Sequence, residues 1–528
     1  MSRQDTPLAR ASDSGSESTP LLQSFSGTSD TSTDCHLESG NAVLGHSGST
    51  ATLYNEFAEC DSVSTAVIAK QEARLLVRSG IPLALAYLLQ FSFNFVNILS
   101  LGHLGADELA AAALGNMTLF MLVNAPAVGL ASALDTFCAT AFTASRNKTL
   151  VGFHLQRGLI SVTAHLVIVL PVLMNMEPIL VALQQDAGVS HLCSRFIRAQ
   201  LLGQLPWMYF ECIKRFLQAQ GHMKASTYVL LAVLPLHLAN NYLFVWSRTF
   251  GFGFLGAAAA NVVTFWVMFL GIVAYCWRTE AKAAWGGWTR RAFTSMPQYY
   301  RLAIPSLIMV CSDWAAWELM AIAASYLGNV TLAAQSIVIN TCSLTYQIPA
   351  GISIATSNRT GNLLGQARAR RSEISSATGL SLGAIWGIVS SVLCFAVASW
   401  WGRIYSSDPG VIAGVALIMP ICGVFQLADS VNGVSGGVLR SIGRQAAGAW
   451  INFPSYYFVG FPLGIYLTYG QPAMGVVGLW LGLCVGVFIT AIGQTIICLR
   501  TKYMAEVEKC LARVNKTQQA ATSDPVTY

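Results

Sequence analysis

Twelve stretches of this chain are apolar over about 20 residues each, and that pattern leaves few folds open. They run roughly over 78–101, 109–133, 156–178, 192–213, 226–247, 252–276, 302–326, 331–357, 376–399, 410–434, 447–469 and 474–499. Each is long enough to cross a hydrocarbon layer of ~30 Å. No water serves the backbone in lipid, so every N–H and C=O must be bonded within the segment, which makes each one a helix. A membrane β-barrel would instead show strands of about 10 residues with alternating polarity. Composition points the same way. Of 528 residues, 54% are hydrophobic and only 11% charged, with mean hydropathy +0.53. A soluble domain carries roughly 25% charged residues. The expected fold is an all-α membrane protein with twelve transmembrane helices.

Basic residues then orient the chain. Loops after even-numbered helices hold Arg146, Lys148 and Arg157; Lys214, Arg215 and Lys224; Arg278, Lys282, Arg290 and Arg291; Arg359, Arg368, Arg370 and Arg371; and Arg440 and Arg444. Loops after odd-numbered helices hold little beyond His103, Asp107, Glu108, Glu177, Asp186, Arg403 and Asp408. The positive-inside rule places the even loops and both termini in the cytoplasm. The net charge of +6 is thus a loop signal and implies no nucleic-acid partner.

The chain also repeats itself. Slid by about 223 residues, Ile81-Pro82 falls on Ile304-Pro305, Leu104-Gly105 on Leu327-Gly328, and Pro126-Ala127 on Pro349-Ala350. Each half holds an even number of helices, so both halves enter the membrane the same way. The result is a parallel repeat of two pseudo-symmetric six-helix lobes. The expected division is a disordered N-terminal tail over 1–72, an N-lobe over 73–277, a linker over 278–299, a C-lobe over 300–500 and a C-terminal tail over 501–528. The first segment is Ser/Thr-rich and lacks the apolar core of a secretory signal. The 13 cysteines show no CxxC or Cys/His spacing, so neither a metal site nor a disulfide framework is expected. Asn329-Val-Thr is a glycosylation-type triplet placed outside, close to the membrane.

Ionisable side chains inside the apolar runs are few. A charge at mid-bilayer costs about 2.5–3.5 kcal/mol on the insertion scale. It must therefore be paired, protonated or exposed to a wet cavity. Asp313 and Glu318 lie in helix 7, within Cys311-Ser-Asp-Trp-Ala-Ala-Trp-Glu-Leu319, and Asp429 lies in helix 10. No Lys or Arg stands at comparable depth in that lobe. Desolvation favours the neutral form of a carboxyl, so these three acids are the candidates for proton or cation coupling. Asp313 and Glu318 stand roughly 140° apart on an ideal helix and share a cavity only if helix 7 bends or sits centrally. Helix 1 carries Asn94 and Asn97 instead of acids. Asp135 and Glu211 fall near basic ends, where solvation or pairing is expected. Asn97, Trp314, Trp317, Phe425, Gln426, Tyr456 and Tyr457 are candidates for a substrate cavity, the aromatic ones through cation–π contact, although aromatics at helical spacing also serve as packing.

Several motifs resemble those of the multidrug and toxic compound extrusion (MATE) family, in its eukaryotic, including fungal, type. Leu101-Gly-His-Leu-Gly-Ala-Asp-Glu-Leu-Ala-Ala111 resembles its GHLGxxELAA stretch. Ala133-Leu-Asp-Thr136 and His154-Leu-Gln-Arg157 resemble its ALDT and LQR elements. Gly437-Val-Leu-Arg-Ser-Ile-Gly443, followed by Gln445 and Gly448-Ala449, is similar to GVLRGxGxQxxGA. Tyr456-Tyr457-Phe-Val-Gly-Phe-Pro462 and Gly478-Leu-Trp-Leu-Gly-Leu483 are similar to YYxxGxP and GLWxGL. The order holds from about residue 75 to 500. The resemblance implies an antiporter that exports organic, often cationic, compounds against H⁺, or less often Na⁺, with its second-lobe acids at Asp313, Glu318 and Asp429. Asn97 stands where the family has an aspartate, and Asp313 is one methylene shorter than the usual glutamate.

The expectation is therefore a secondary transporter, not an enzyme, monomeric, needing no cofactor beyond H⁺. It would sit as a multi-pass protein in a plasma or vacuolar-type membrane. No Walker A sequence supports ATP-driven transport. The alternatives are a flippase for lipid-linked precursors, which would want cationic residues in its cavity, and a passive channel, which would show no pH dependence.

Overall fold

The computed structural model describes residues 63–522 apart from 103, 248–250, 295 and 472. Most of the expected N-terminal tail, His103 and the side chain of Asn94 lie outside the described residues. No strand occurs among the described residues.

Each apolar segment lies in a helix. In chain order these are α1 (Thr65–Gly102), α2 (Asp107–Ala144), α3 (Thr149–Met174), α4 (Ala187–Ala219), α5 (Ala225–Trp246) and α6 (Phe254–Arg278). The second set is α7 (Met296–Ser325), α8 (Asn329–Gly365), α9 (Ala369–Val397), α10 (Pro409–Ile442), α11 (445–469) and α12 (Val476–Arg500). Among the described residues, nine are long and apolar enough to span by length and hydropathy alone. The remaining three, α4, α8 and α11, carry more polar side chains, such as Gln200, Gln335 and Asn452, all buried. These face protein rather than lipid, so the sequence average understates how apolar the lipid face is.

Each lobe has its own apolar core. One gathers Leu134, Phe137, Phe153, Phe210 and Phe216 of α2, α3 and α4. The other gathers Met320, Val338, Phe425 and Trp480 of α7, α8, α10 and α12. The lobes meet through two equivalent helix pairs, α1 with α8 and α2 with α7. At each crossing a glycine admits the partner backbone. A Cβ at Gly129 would lie 2.5 Å from Leu307 Cα, and one at Gly351 would lie 2.7 Å from Ala84 N. Small residues at helix crossings permit such close packing in membranes.

Contacts between the lobes gather at the end where the basic loops lie. Glu72 of α1, fully buried, receives Arg359 at 2.7 Å and Arg371 at 2.7 Å. Thr143 of α2 donates to Asn362 O of α8 at 2.9 Å. Asp135 of α2 receives Arg215 at 3.1 Å and faces Arg440 of α10 at 3.6 Å. Beyond α12, Tyr503–Thr522 form a further helix, α13. It lies across this basic end against α2 and α3 on one side and α8 and α9 on the other. Glu506 of α13 receives Arg444 at 2.5 Å and Lys509 at 3.1 Å. The chain after α12 is thus built into the basic end as far as Thr522.

Candidate functional site

The deep acids sit in the C-lobe, each placed by a different local device. Asp313 is midway along α7. Its Oδ1 accepts from Asn452 Nδ2 of α11 at 2.9 Å, and the Tyr456 hydroxyl reaches it as well. Tyr456 owes its position to an irregularity. Pro454 lacks the N–H an interior helical residue would donate, and the helix widens into a π-type turn over Ser455–Gly460. Single wide turns of this kind recur at functional sites.

Asp429 projects from α10 into the same region, close enough to Asp313 for the two charges to repel. Tyr346 of α8 lies within electrostatic reach of both. Asp313 and Asp429 are surrounded by protein, yet each keeps part of its surface open. They are therefore half-buried within the C-lobe and lie near one another. Arg440, from the basic end of α10, also reaches near enough to attract Asp313. That proximity was not visible in the sequence, because the long arginine side chain reaches back along the helix past Gly436.

Glu318 stands apart. Lying roughly 140° around α7 from Asp313, it has no hydrogen-bond or ion-pair partner among the described residues, and neither has Asp429. Asp313 is thus the anchored acid, while Glu318 and Asp429 keep their oxygens available. The structure brings Asp313 and Asp429 together and leaves Glu318 on another face.

The other candidates divide between packing and open surface. Trp317 and Phe425 meet edge-to-face at 5.1 Å, and both also meet the buried Trp480 edge-to-face, at 5.8 and 6.0 Å. They fill the core between α7, α10 and α12. Gln426 is fully buried and donates to Thr345 Oγ1 and Cys342 O of α8. Tyr457 donates to Ser312 O at 3.1 Å. Trp314 is 40% exposed and meets Phe120 of α2 edge-to-face at 4.7 Å, a contact between the lobes.

Asn97 lies in the other lobe, 3% exposed. It donates to Asn261 of α6 at 2.7 Å and accepts from Asn241 of α5 at 2.6 Å. A neutral amide there ties three helices together. Asp135 and Glu211 are paired, as expected for that lobe, and also buried. Glu211 receives Lys214 at 2.6 Å and Gln90 at 3.3 Å.

Among the described residues no group of three or more His, Cys, Asp or Glu is arranged to hold a metal ion. Sequence reasoning passed over Asn452, Gln494 and Ser435, which extend from Asp313 as a chain of hydrogen bonds. The available signal was modest: an amide inside an apolar run needs a partner in the bundle.

Comparison with known proteins agrees with the two-lobed fold. The MatE family profile matches twice, over residues 82–243 and 305–466. An uncharacterized transporter of Schizosaccharomyces pombe is 37% identical, over 80% of this chain and 78% of its own. Multidrug and toxin extrusion protein 1 of Danio rerio is 30% identical, over 86% of this chain and 76% of its own. The crystal structure of the eukaryotic MATE transporter AtDTX14 superposes with a TM-score of 0.80 at 25% identity, covering 85% of this chain and 100% of that one. With two family-matching halves, two pseudo-symmetric bundles and a solved relative of the same architecture, the chain belongs to the MATE family of multi-pass membrane transporters.

Proposed function

We propose that this transporter exports organic, often cationic, compounds in exchange for H⁺, with Asp313, Glu318 and Asp429 as its coupling acids. One observation carries the reading: within the C-lobe, Glu318 and Asp429 have no hydrogen-bond or ion-pair partner among the described residues, and Asp429 lies within electrostatic reach of Asp313. An unpaired carboxylate in a poorly hydrated site binds either a cation or a proton, because either relieves the cost of an isolated charge. Binding of one therefore displaces the other. Rocking of the two lobes about the α1–α8 and α2–α7 crossings would present these acids to one side and then the other.

The basic end is taken as cytoplasmic by the positive-inside rule, in a plasma or vacuolar-type membrane, with the monomer as the working unit. The division into tail, N-lobe, linker, C-lobe and C-terminal segment is part of the same proposal, except that the first boundary moves back to Thr65, because α1 begins there and Glu72 is already buried against arginines of the second lobe. A flippase for pyrophosphate-linked lipids is disfavoured by the acidic character of the site. The test is transport in sealed proteoliposomes, with an imposed pH gradient and ethidium as the cation. The gradient is expected to drive ethidium against its concentration difference, and Asp429→Asn and Glu318→Gln are each expected to abolish that drive in folded protein. Gradient-driven uptake unchanged in both variants would remove the coupling role. Equilibration insensitive to pH would indicate a channel.

A further inference from the structure

The acid Asp313 is tied to the basic end of the molecule by an unbroken line of neutral groups. Asn452 donates to Asp313 at 2.9 Å, Gln494 of α12 donates to Asn452 Oδ1 at 2.6 Å, and Ser435 of α10 donates to Gln494 Oε1 at 3.0 Å. All three are fully buried. We propose that Asn452, Gln494 and Ser435 are positioning residues that report the charge on Asp313 to the Arg440–Asp135 contact closing the basic end. This rests on Asp313 taking up a proton, as in the function proposed above.

The argument is one of direction. A side-chain amide has a donor side and an acceptor side. An ionised Asp313 only accepts, so Asn452 must turn its NH₂ toward it and its oxygen toward Gln494, whose own oxygen then faces Ser435. A protonated Asp313 can donate instead. Asn452 then offers its oxygen to the acid and its NH₂ to Gln494, which must turn in the same sense. Buried polar groups left unpaired are costly, so the amides turn together or not at all. Ser435 is the hinge of this exchange. Its single hydroxyl hydrogen has two acceptors at equal distance, Gln494 Oε1 at 3.0 Å and Asn432 O at 3.0 Å. Once Gln494 presents NH₂, the hydroxyl accepts from it and donates to Asn432. No proton travels along the line; only orientation does.

The far end lies against the gate. A Cβ on Gly436 would lie 3.6 Å from Gln494 Oε1 and 3.5 Å from Arg440 Nη1, so amide and guanidinium rest on the same glycine. With Asp313 ionised, the amide oxygen faces that side and favours the cation. After the turn, NH₂ replaces it and Arg440 loses a favourable dipole. Arg440 is also the residue that meets Asp135 at 3.6 Å, and its carbonyl receives the Thr136 hydroxyl of the other lobe. Acid therefore loosens the basic end. The groups facing Asp313 are Asp429 and Arg440 from α10, Tyr346 from α8, Tyr456 and Tyr457 from α11, and Cys311 on its own helix. Before Arg500, α12 contributes no charged residue.

The test reads the gate directly, without transport. Hydrogen exchange is followed by mass spectrometry over 136–144 and 358–366 in the full-length protein in nanodiscs. Acidic and alkaline buffers are compared after correction for intrinsic exchange. Protection in the wild type is expected to fall by about fivefold or more in acid, the lower range of a typical coupling between sites. Asp313→Asn removes this response. Asn452→Leu and Ser435→Ala flatten it, and Ser435→Thr, which keeps the hydroxyl, restores it. The near-silent Ser435 pair carries the test if Asn452→Leu fails to fold. A wild-type gate indifferent to pH, or a full response in Ser435→Ala, overturns the relay. A relay that behaves as expected in a protein showing no proton-driven transport would stand while the antiport reading fell. Proton-driven transport with an intact pH response in Ser435→Ala would do the reverse.

Discussion

The two lobes share a fold and treat their acids in opposite ways. Eight residues beyond the aligned prolines Pro82 and Pro305 stand Gln90 in the first lobe and Asp313 in the second. Gln90 is neutral and serves Glu211, which Lys214 already neutralises. In the first lobe the buried acids described all have cationic partners: Glu72 with Arg359 and Arg371, Asp135 with Arg215 and Arg440, Glu211 with Lys214. Its deep polar cluster of Asn97, Asn241 and Asn261 is uncharged. In the second lobe, Glu318 and Asp429 are left without partners among the described residues. A paired buried acid holds helices in place, because removing either partner strands the other charge. An unpaired one is free to exchange what it binds. One lobe therefore reads as the frame and the other as the moving part of the chemistry.

The largest expected effect falls where the lobes differ most. Neutralising Asp429 should eliminate proton-driven exchange in proteoliposomes, whereas Gln90→Leu should leave the coupling ratio unchanged. Loss of coupling in Gln90→Leu would break the comparison.

Asp135→Asn comes next. It strands Arg215 in a buried site, and losing one partner of such a pair costs on the order of 3–5 kcal/mol. The expected result is a lower thermal unfolding temperature together with faster hydrogen exchange at the basic end. Neutral behaviour would mean that the pair contributes nothing to closure.

A smaller loss is expected for Asn97→Leu, which removes two buried hydrogen bonds and leaves Asn241 and Asn261 unserved, at about 1–3 kcal/mol for each stranded group. Asn97→Asp sharpens the point. It should destabilise without transferring proton coupling to the first lobe, read as an unchanged pH profile of transport.

The smallest effect concerns α13. Burial pushes the Cys510 thiol up to about 11, so the neutral thiol is favoured where the helix is docked. Docking on this account is undiminished below the usual thiol range and weakens as pH rises through about 11. Arg444→Ala removes a partner of Glu506 and should speed alkylation of Cys510 at neutral pH, while transport changes little. An unchanged alkylation rate would show that other contacts hold α13.

Much of the architecture was legible because it depends on local length and polarity. Each apolar run had to be a helix, and the repeat followed from the aligned prolines and Leu-Gly pairs. The site was legible in part. Asp313, Glu318 and Asp429 could be marked because a charge in an apolar run stands out by itself. Their inequality could not. That Asp313 is held by Asn452, 139 positions away, depends on how α7 and α11 pack. Phe425 and Trp317 looked like cavity lining because the side-chain type is the same whether a ring lines a space or fills one.

The sequence by itself determined twelve helices, their alternating direction, the twofold repeat and the places where charge enters the membrane. A bilayer forces these on any chain, since each segment must satisfy its own backbone and its own share of burial. Only the tertiary structure decided which acids have partners, which amides connect them, and that α13 lies across both lobes. Those outcomes rest on contacts such as Asp135 with Arg440, between residues from different lobes. Pairing across such separations is set by the packing of whole helices, and no local pattern encodes it.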